Sequence, residues 1–151
     1  MQYVAYSHCG GAEALPATLQ KEITSAITAI TAQPARGAGK RLRLAFLDNL
    51  KSSGWSSEVS VAEGSHMTIT SIKNQVGLCL QTGNMGRMYA DLMKLQTLYL
   101  NKAIKGAAII LPSNRIAKVL GSNIAEARRL QRELNIFKKA YDVPTMVFGL
   151  E

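Results

Sequence analysis

Between Gly64 and Ala90 the chain has no aspartate or glutamate, in a protein that carries 10 acidic residues against 18 lysines and arginines. A stretch without carboxylates supplies no ligands for a hard cation and no carboxylate base. Cysteine is scarce as well. Cys9 and Cys79 stand alone, with no C-x-x-C pair and no clustered histidine. That argues against a disulfide scaffold or a zinc site and makes a reducing cytoplasm the expected compartment. No apolar run approaches the roughly 18 residues of a spanning helix. The opening MQYVAYSHCGG lacks a basic segment followed by an apolar one, so a signal peptide is not expected either.

What is present fits one globular domain. The 151 residues suffice to bury a core, and 47% hydrophobic with 19% charged is ordinary for such a chain. The net charge of +8 is a statement about the field around the protein, and its first implication is a polyanionic partner.

Periodicity gives the elements. Leu15, Leu19, Ile23, Ile27 and Ile30 form one helix face, and Pro16 suits its first turn. Pro34, Gly37 and Gly39 break the pattern before a second helix through Leu42, Phe46 and Leu50, which Gly54 can end. Trp55 to Ile72 reads as two short strands around an EGSH turn. Val76, Leu78 and Leu80 alternate with Gly77, Cys79 and Gln81, the pattern of a half-buried strand. A helix follows from Gly86 to Lys102. Ala107 to Leu111 is a buried strand, and Pro112 and Ser113 stop it and cap the next helix. The segment SNIAEARRLQRELNIFKKA predicts a basic amphipathic helix ending near Ala140, before a last strand at Pro144 to Phe148. Late strands alternating with helices require parallel crossovers, whereas the early ones read as an antiparallel meander. The expected fold is α/β: a mixed β-sheet flanked by helices, in a single domain over residues 1–151.

Three basic regions are candidates for contact with a polyanion. Arg36, Lys40, Arg41 and Arg43 crowd one Gly-rich loop, either a solvated hinge or a phosphate contact. The turn Gly83 to Arg87 opens a helix and is either a phosphate contact or a plain tight turn. Arg128 and Arg132 stand four apart with Arg129 beside them, amid Arg115, Lys118, Lys138 and Lys139. They form a phosphate-neutralising stripe or a solvated face paired with Glu126 and Glu133. Nothing in the sequence brings Cys9 or Cys79 to His8 or His66.

Several ordered pieces carry a resemblance: YSH at Tyr6 to His8, AFLDNLKSSGW from Ala45 to Trp55, SIKNQVGLCLQTGN, MYADLMKLQTLYL, AAIILP and VPTMVFGL. Together the chain resembles the BglII and BstYI type of restriction endonuclease, within the wider PD-(D/E)xK nuclease fold. The family pattern across the hairpin reads roughly D-x-x-K-x-x-h-x-h-E-h-Q-x-G. Aligning on Gln81 puts Cys79 at the Glu and Thr70 at the Asp, or Ser71 if the register slips by one. Only Gln81 survives, and hydroxyl and thiol groups cannot supply the two fixed charges that hold Mg²⁺. The resemblance therefore implies the nuclease fold with degenerate positions at Thr70, Cys79 and Gln81. No cofactor is expected unless Glu22 and Asp91 build a displaced Mg²⁺ site, though both more often form salt bridges.

The resulting expectation is a duplex-DNA-binding pseudoenzyme acting as a regulator, site-occluding or accessory factor. The expected DNA contacts are Arg36, Lys40, Arg41, Arg43, Arg87, Arg128 and Arg132. The resembled enzymes are dimers, and the helix from Gly86 to Lys102 is apolar nearly all round, so a homodimer is expected. The alternatives are a protein-interaction module, for example a partner of a nuclease or defence system on a mobile element, and an active endonuclease with a displaced metal.

Overall fold

The computed structural model describes residues 1–151. The chain begins with β1 (Tyr3–His8), α1 (Gly11–Ala14), α2 (Ala17–Thr28) and α3 (Gly39–Lys51). Then come four short strands, β2 (Val59–Ser60), β3 (Thr68–Ile69), β4 (Ser71–Lys73) and β5 (Val76–Leu80). The last part alternates: α4 (Met85–Leu100), β6 (Gly106–Pro112), α5 (Asn114–Leu120), α6 (Ala127–Ile136) and β7 (Thr145–Leu150). One sheet has the order β1-β7-β6-β5-β4. Its three central strands are parallel, and both edge strands run antiparallel to their neighbours. The parallel pairs need crossovers, which α4 provides between β5 and β6, and α5 with α6 between β6 and β7. β2 and β3 pair only with each other. The mixed α/β architecture expected from the sequence is the one found.

Side chains on successive strand residues point to opposite faces. Val76, Leu78, Leu80, Ala108, Ile110, Met146 and Phe148 pack with α2, α3 and α5 in one cluster of 21 buried residues. Cys79, Ala107, Ile109, Leu111 and Val147 pack with α4 and α6 in another of 18. The two clusters are nearly equal, so the sheet is sealed on both faces. β5 departs here from its alternating sequence pattern, because all five of its residues are buried. Gly77 is small because Leu95, Ile104 and Ile69 already fill the space beside it. Cys79 takes its place under α4 as a small apolar group.

The predicted helix over Ser122 to Ala140 is also corrected. Only Ala127–Ile136 is α6. Residues before it form a loop, with Asn123 at φ +54°, whose backbone bonds are diverted. Met85 N–H donates to the Asn123 carbonyl (3.1 Å) and Ala125 N–H to the Gly83 carbonyl (2.9 Å). A backbone paired to a neighbouring turn has no carbonyls left for a helix. Ser113 precedes α5 as expected, but its hydroxyl makes no capping bond.

Glu22 on α2 ties three elements together. Lys73 Nζ on β4 donates to both carboxylate oxygens, at 2.8 and 2.9 Å, and to the Ser53 carbonyl; Trp55 Nε1 donates at 2.8 Å. The hydrogen bond from Lys73 holds the Glu22 carboxyl below its ordinary value of 4.5, against the opposing effect of burial. A depressed folded value means stability that is present above the unfolded value and lost as pH falls through the folded one. Glu22→Gln is expected to cost about 1 kcal/mol at pH 7, the low end for a charge-assisted bond. The low end applies because the carboxylate is 26% exposed. Urea unfolding from pH 7 to pH 3 should show the gap between wild type and variant closing below about pH 4.5.

Candidate functional site

Parallel strands leave their polar loops at one edge, and a ligand site in such a sheet lies beyond the C-terminal ends of the strands. A cleft of about 550 Å³ opens there, past the end of β5. Its walls carry Lys40 and Arg43 from α3, Arg87 and Lys94 from α4, and the short β3–β4 segment with Thr70. Gln81, the first residue after β5, and Asp91 on α4 also line it.

The floor is a closed hydrogen-bond set. Gln81 Nε2 donates to Asp91 Oδ2 at 2.8 Å, while its Oε1 accepts from Gly83 N–H at 2.9 Å. Lys94 Nζ sits 3.1 Å from Asp91 Oδ1, one helical turn along α4. Asp91 is only 6% exposed, so its charge requires these partners. Thr70 Oγ1 accepts from Leu80 N–H at 3.0 Å. Ser71, the alternative register, instead donates to the Ser56 carbonyl at 2.7 Å and does not line the cleft. Thr70 is thus the residue that stands at the cleft. Cys79 lies beneath the floor, 1% exposed. Burial first, and the nearby Asp91 charge second, push its thiol far above the ordinary range.

These groups do not fit Mg²⁺. The hard cation needs several free oxygen ligands, usually with more than one carboxylate. Two carboxylates line the cleft: Asp91, both of whose oxygens are engaged by an ammonium and an amide, and Glu58, which is paired with Arg43. No group of three His, Cys, Asp or Glu side chains anywhere is arranged to hold an ion. Glu22 and Asp91 are not brought together either. The first belongs to the α2 layer with Lys73 and Trp55, and the second lies on α4 across the sheet.

Among the basic candidates, Lys40, Arg43 and Arg87 share the cleft. Arg43 is partly committed: Nη1 donates to the Leu80 carbonyl at 3.0 Å and Nη2 reaches Glu58 at 3.3 Å. Arg36, in the loop before α3, and Arg41, in its first turn, are exposed outside the cleft lining. Arg128 and Arg132 sit on α6 in two other grooves. At the Gly83–Arg87 turn, Asn84 Oδ1 caps α4 by accepting from Arg87 N–H, and Met85 N–H is bound to Asn123. Two of that helix terminus's four donors are therefore spent, which leaves the Arg87 side chain as its one full positive charge for an anion.

Spacing along the helix offers Asp91 either Arg87 or Lys94 as a partner, and the structure selects Lys94 and puts it in the cleft. Sequence reading missed that Cys9 Sγ lies 3.3 Å from His8 Nε2. That nitrogen is 2.8 Å from the Tyr141 carbonyl, which can only accept, so it carries a proton and is no base for the thiol.

A cation-walled cleft beyond the ends of parallel strands, on this mixed sheet, defines a restriction-endonuclease-like domain. The model of the family described as restriction endonuclease BglII/BglIII matches residues 3–150, and the chain belongs to that family. Two solved structures are similar to it. BglII complexed with a DNA 16-mer superposes with a TM-score of 0.88 at 16% identity, covering 100% of this chain and 78% of that one. Free BglII gives 0.77 at 18% identity, covering 100% and 80%. No curated protein matches by sequence.

The two thiols should differ sharply. Cys9 is exposed and Cys79 buried. A chromogenic disulfide reagent is expected to modify one thiol of the native protein promptly and the second only on unfolding. Cys79→Glu would bury a carboxylate beside Asp91 and is expected to cost about 3 kcal/mol or more. A thermal melt measures that loss.

Proposed function

We propose that this protein binds duplex DNA without cutting it, as a regulator, a site-occluding protein or an accessory factor. The observation that carries the reading is the cleft floor, where a lysine and an amide occupy the carboxylate that a metal would need. The cleft keeps the cations that attract a phosphate backbone and lacks the paired acids that would activate water on Mg²⁺. BglII, which shares the fold, has been crystallised with DNA, and that supports the choice of ligand.

Phosphate contacts are assigned to Arg36, Lys40, Arg41, Arg43, Arg87, Arg128 and Arg132, with Lys94 held on Asp91. Mobility shift on a random duplex should show binding that weakens steeply with salt. Each lost contact lowers the log–log salt slope by about 0.9. Lys40→Ala with Arg87→Ala should reduce affinity and slope together while leaving the fold intact. No cleavage is expected with Mg²⁺, in wild type or in Cys79→Glu, because position 70 would still be uncharged. Wild-type and multiply neutralised protein binding alike at low salt would remove the DNA reading.

The placement of Asp91 favours one second reading, an endonuclease whose buried cleft carboxylate comes from α4. Mg²⁺-dependent cutting that is lost in Asp91→Asn would establish it.

The working unit is proposed to be a two-fold dimer. Met93 and Leu100 on α4 are 73% and 69% exposed, and Ile136 at the end of α6 is 77% exposed. Beside them Tyr89, Leu92, Phe137 and Tyr141 line an apolar groove. Large apolar groups clustered at the surface favour cover by a partner, and a second copy burying about 1,200 Å² or more supplies it. Sedimentation equilibrium at micromolar protein should give twice the 16.4 kDa chain mass. Met93→Lys with Ile136→Lys should return the monomer.

A further inference from the structure

Two polar atoms in the protein are buried without any partner, Ser113 Oγ and Glu126 Oε2. Both lie near the cleft edge of the sheet. Ser113 follows β6, and Glu126 immediately precedes α6 at the end of the loop that pairs with residues 83–85. Glu126 is 9% exposed, and its carboxylate makes no hydrogen bond or ion pair. The acidic residue expected to neutralise the α6 cations in its place is Glu133, which takes Arg129 at 2.7 Å and Tyr89 at 2.6 Å. Glu126 instead lines a groove of about 340 Å³ with Asn114, Lys118, Asn123, Arg129 and Arg132. Ile124 and the loop around it separate this groove from the main cleft and line both.

One oxygen of this carboxylate is buried with no hydrogen-bond partner, and such an atom is costly unless a donor reaches it. We infer that Glu126 is a base-reading acceptor: its carboxylate takes the exocyclic amino group of a cytosine in the major groove of bound DNA. The inference rests on the DNA-binding reading and adds a specificity-determining residue to it. The chemistry selects the base. Adenine shows a donor beside an acceptor, which suits an amide, whereas a carboxylate only accepts. Cytosine shows a lone N4 donor, the usual partner of Glu and Asp. Lys118 and Arg132 around the groove supply the phosphate contacts that fix register. Since Glu126 Oε2 is already desolvated, a base without an amino group leaves it unpaired, which sharpens the discrimination. The side chain lines the groove, and taking the base requires it to rotate outward from this position.

The test starts from duplexes selected out of a random pool by the wild-type protein. Wild type should prefer cytosine at one position of the half-site by about 5- to 100-fold, the range of one base contact. Glu126→Gln and Glu126→Ala should lose that preference, so that their affinity for the selected duplex falls to the wild-type level on duplexes without the cytosine while salt-dependent binding remains. Replacing that cytosine by its analogue lacking the 4-amino group should weaken wild type by the same factor and leave both variants unmoved. In the free protein both variants should melt at or above the wild-type temperature, since a costly group is removed. Three results overturn the inference while the DNA-binding reading stands: variants with the wild-type preference profile, a preference lost at adenine, or a lowered melting temperature in Glu126→Gln. Wild type that binds no duplex at low salt overturns the DNA-binding reading itself and the inference with it.

Discussion

β5, one of the three inner strands, has helices on both faces, and the rest of the molecule is arranged around that seal. Val76, Leu78 and Leu80 are closed off by α2 and α3, and Cys79 by α4. A strand dry on both sides tolerates a charge only where a partner or metal compensates it. Position 79 therefore holds a small apolar thiol, and polar chemistry begins one residue beyond the strand, at Gln81. The same constraint explains why the cleft lies at the ends of the parallel strands, the one edge where backbone and side chains both reach solvent.

The floor of the cleft answers the electrostatic problem of a carboxylate held out of water. An acidic side chain 6% exposed, as Asp91 is, needs positive charge close by. Lys94 gives it from the same helix, and Gln81 adds a neutral donor from the strand end. With Asp91 satisfied internally, Lys40 and Arg87 face outward unopposed among the side chains of the cleft. Arg43 shares its charge with Glu58 and the end of β5. The field of the cleft is therefore positive although its floor contains a carboxylate.

Much of this was legible in the sequence, because periodicity and apolar runs report burial directly. β6 was readable from Ala107 to Leu111, and the strand–helix alternation gave the parallel sheet. The failures have one cause. β5 looked half-buried because Gly77 and Cys79 are weakly apolar residues, and only the packing of Leu95 and Ile104 over Gly77 shows that the second face is dry. The helix expected from Ser122 onward starts late because its first carbonyls and amides pair with the turn after β5, a contact nearly 40 residues distant in sequence. The cleft was legible in part, with Gln81, Thr70 and the α3 cations named. Lys94 was legible only as one of two possible partners for Asp91, the other being Arg87, because spacing alone does not show which cation lies over a buried carboxylate.

That late start of α6 shapes the surface as well as the fold. The diverted loop, bonded to Gly83 and Met85, forms the ridge between the main cleft and the groove beside it. A helix continuing back from Ala127 would have carried Glu126 in its first turns, beside Arg129 and Lys118, as one of many paired surface charges. The loop instead turns it inward with no partner, while Glu133 neutralises Arg129 one turn further on. Two carboxylates on one basic element thus have different fates because a single backbone pairing decides where the helix begins. One steadies the fold, and the other remains an acceptor without a donor.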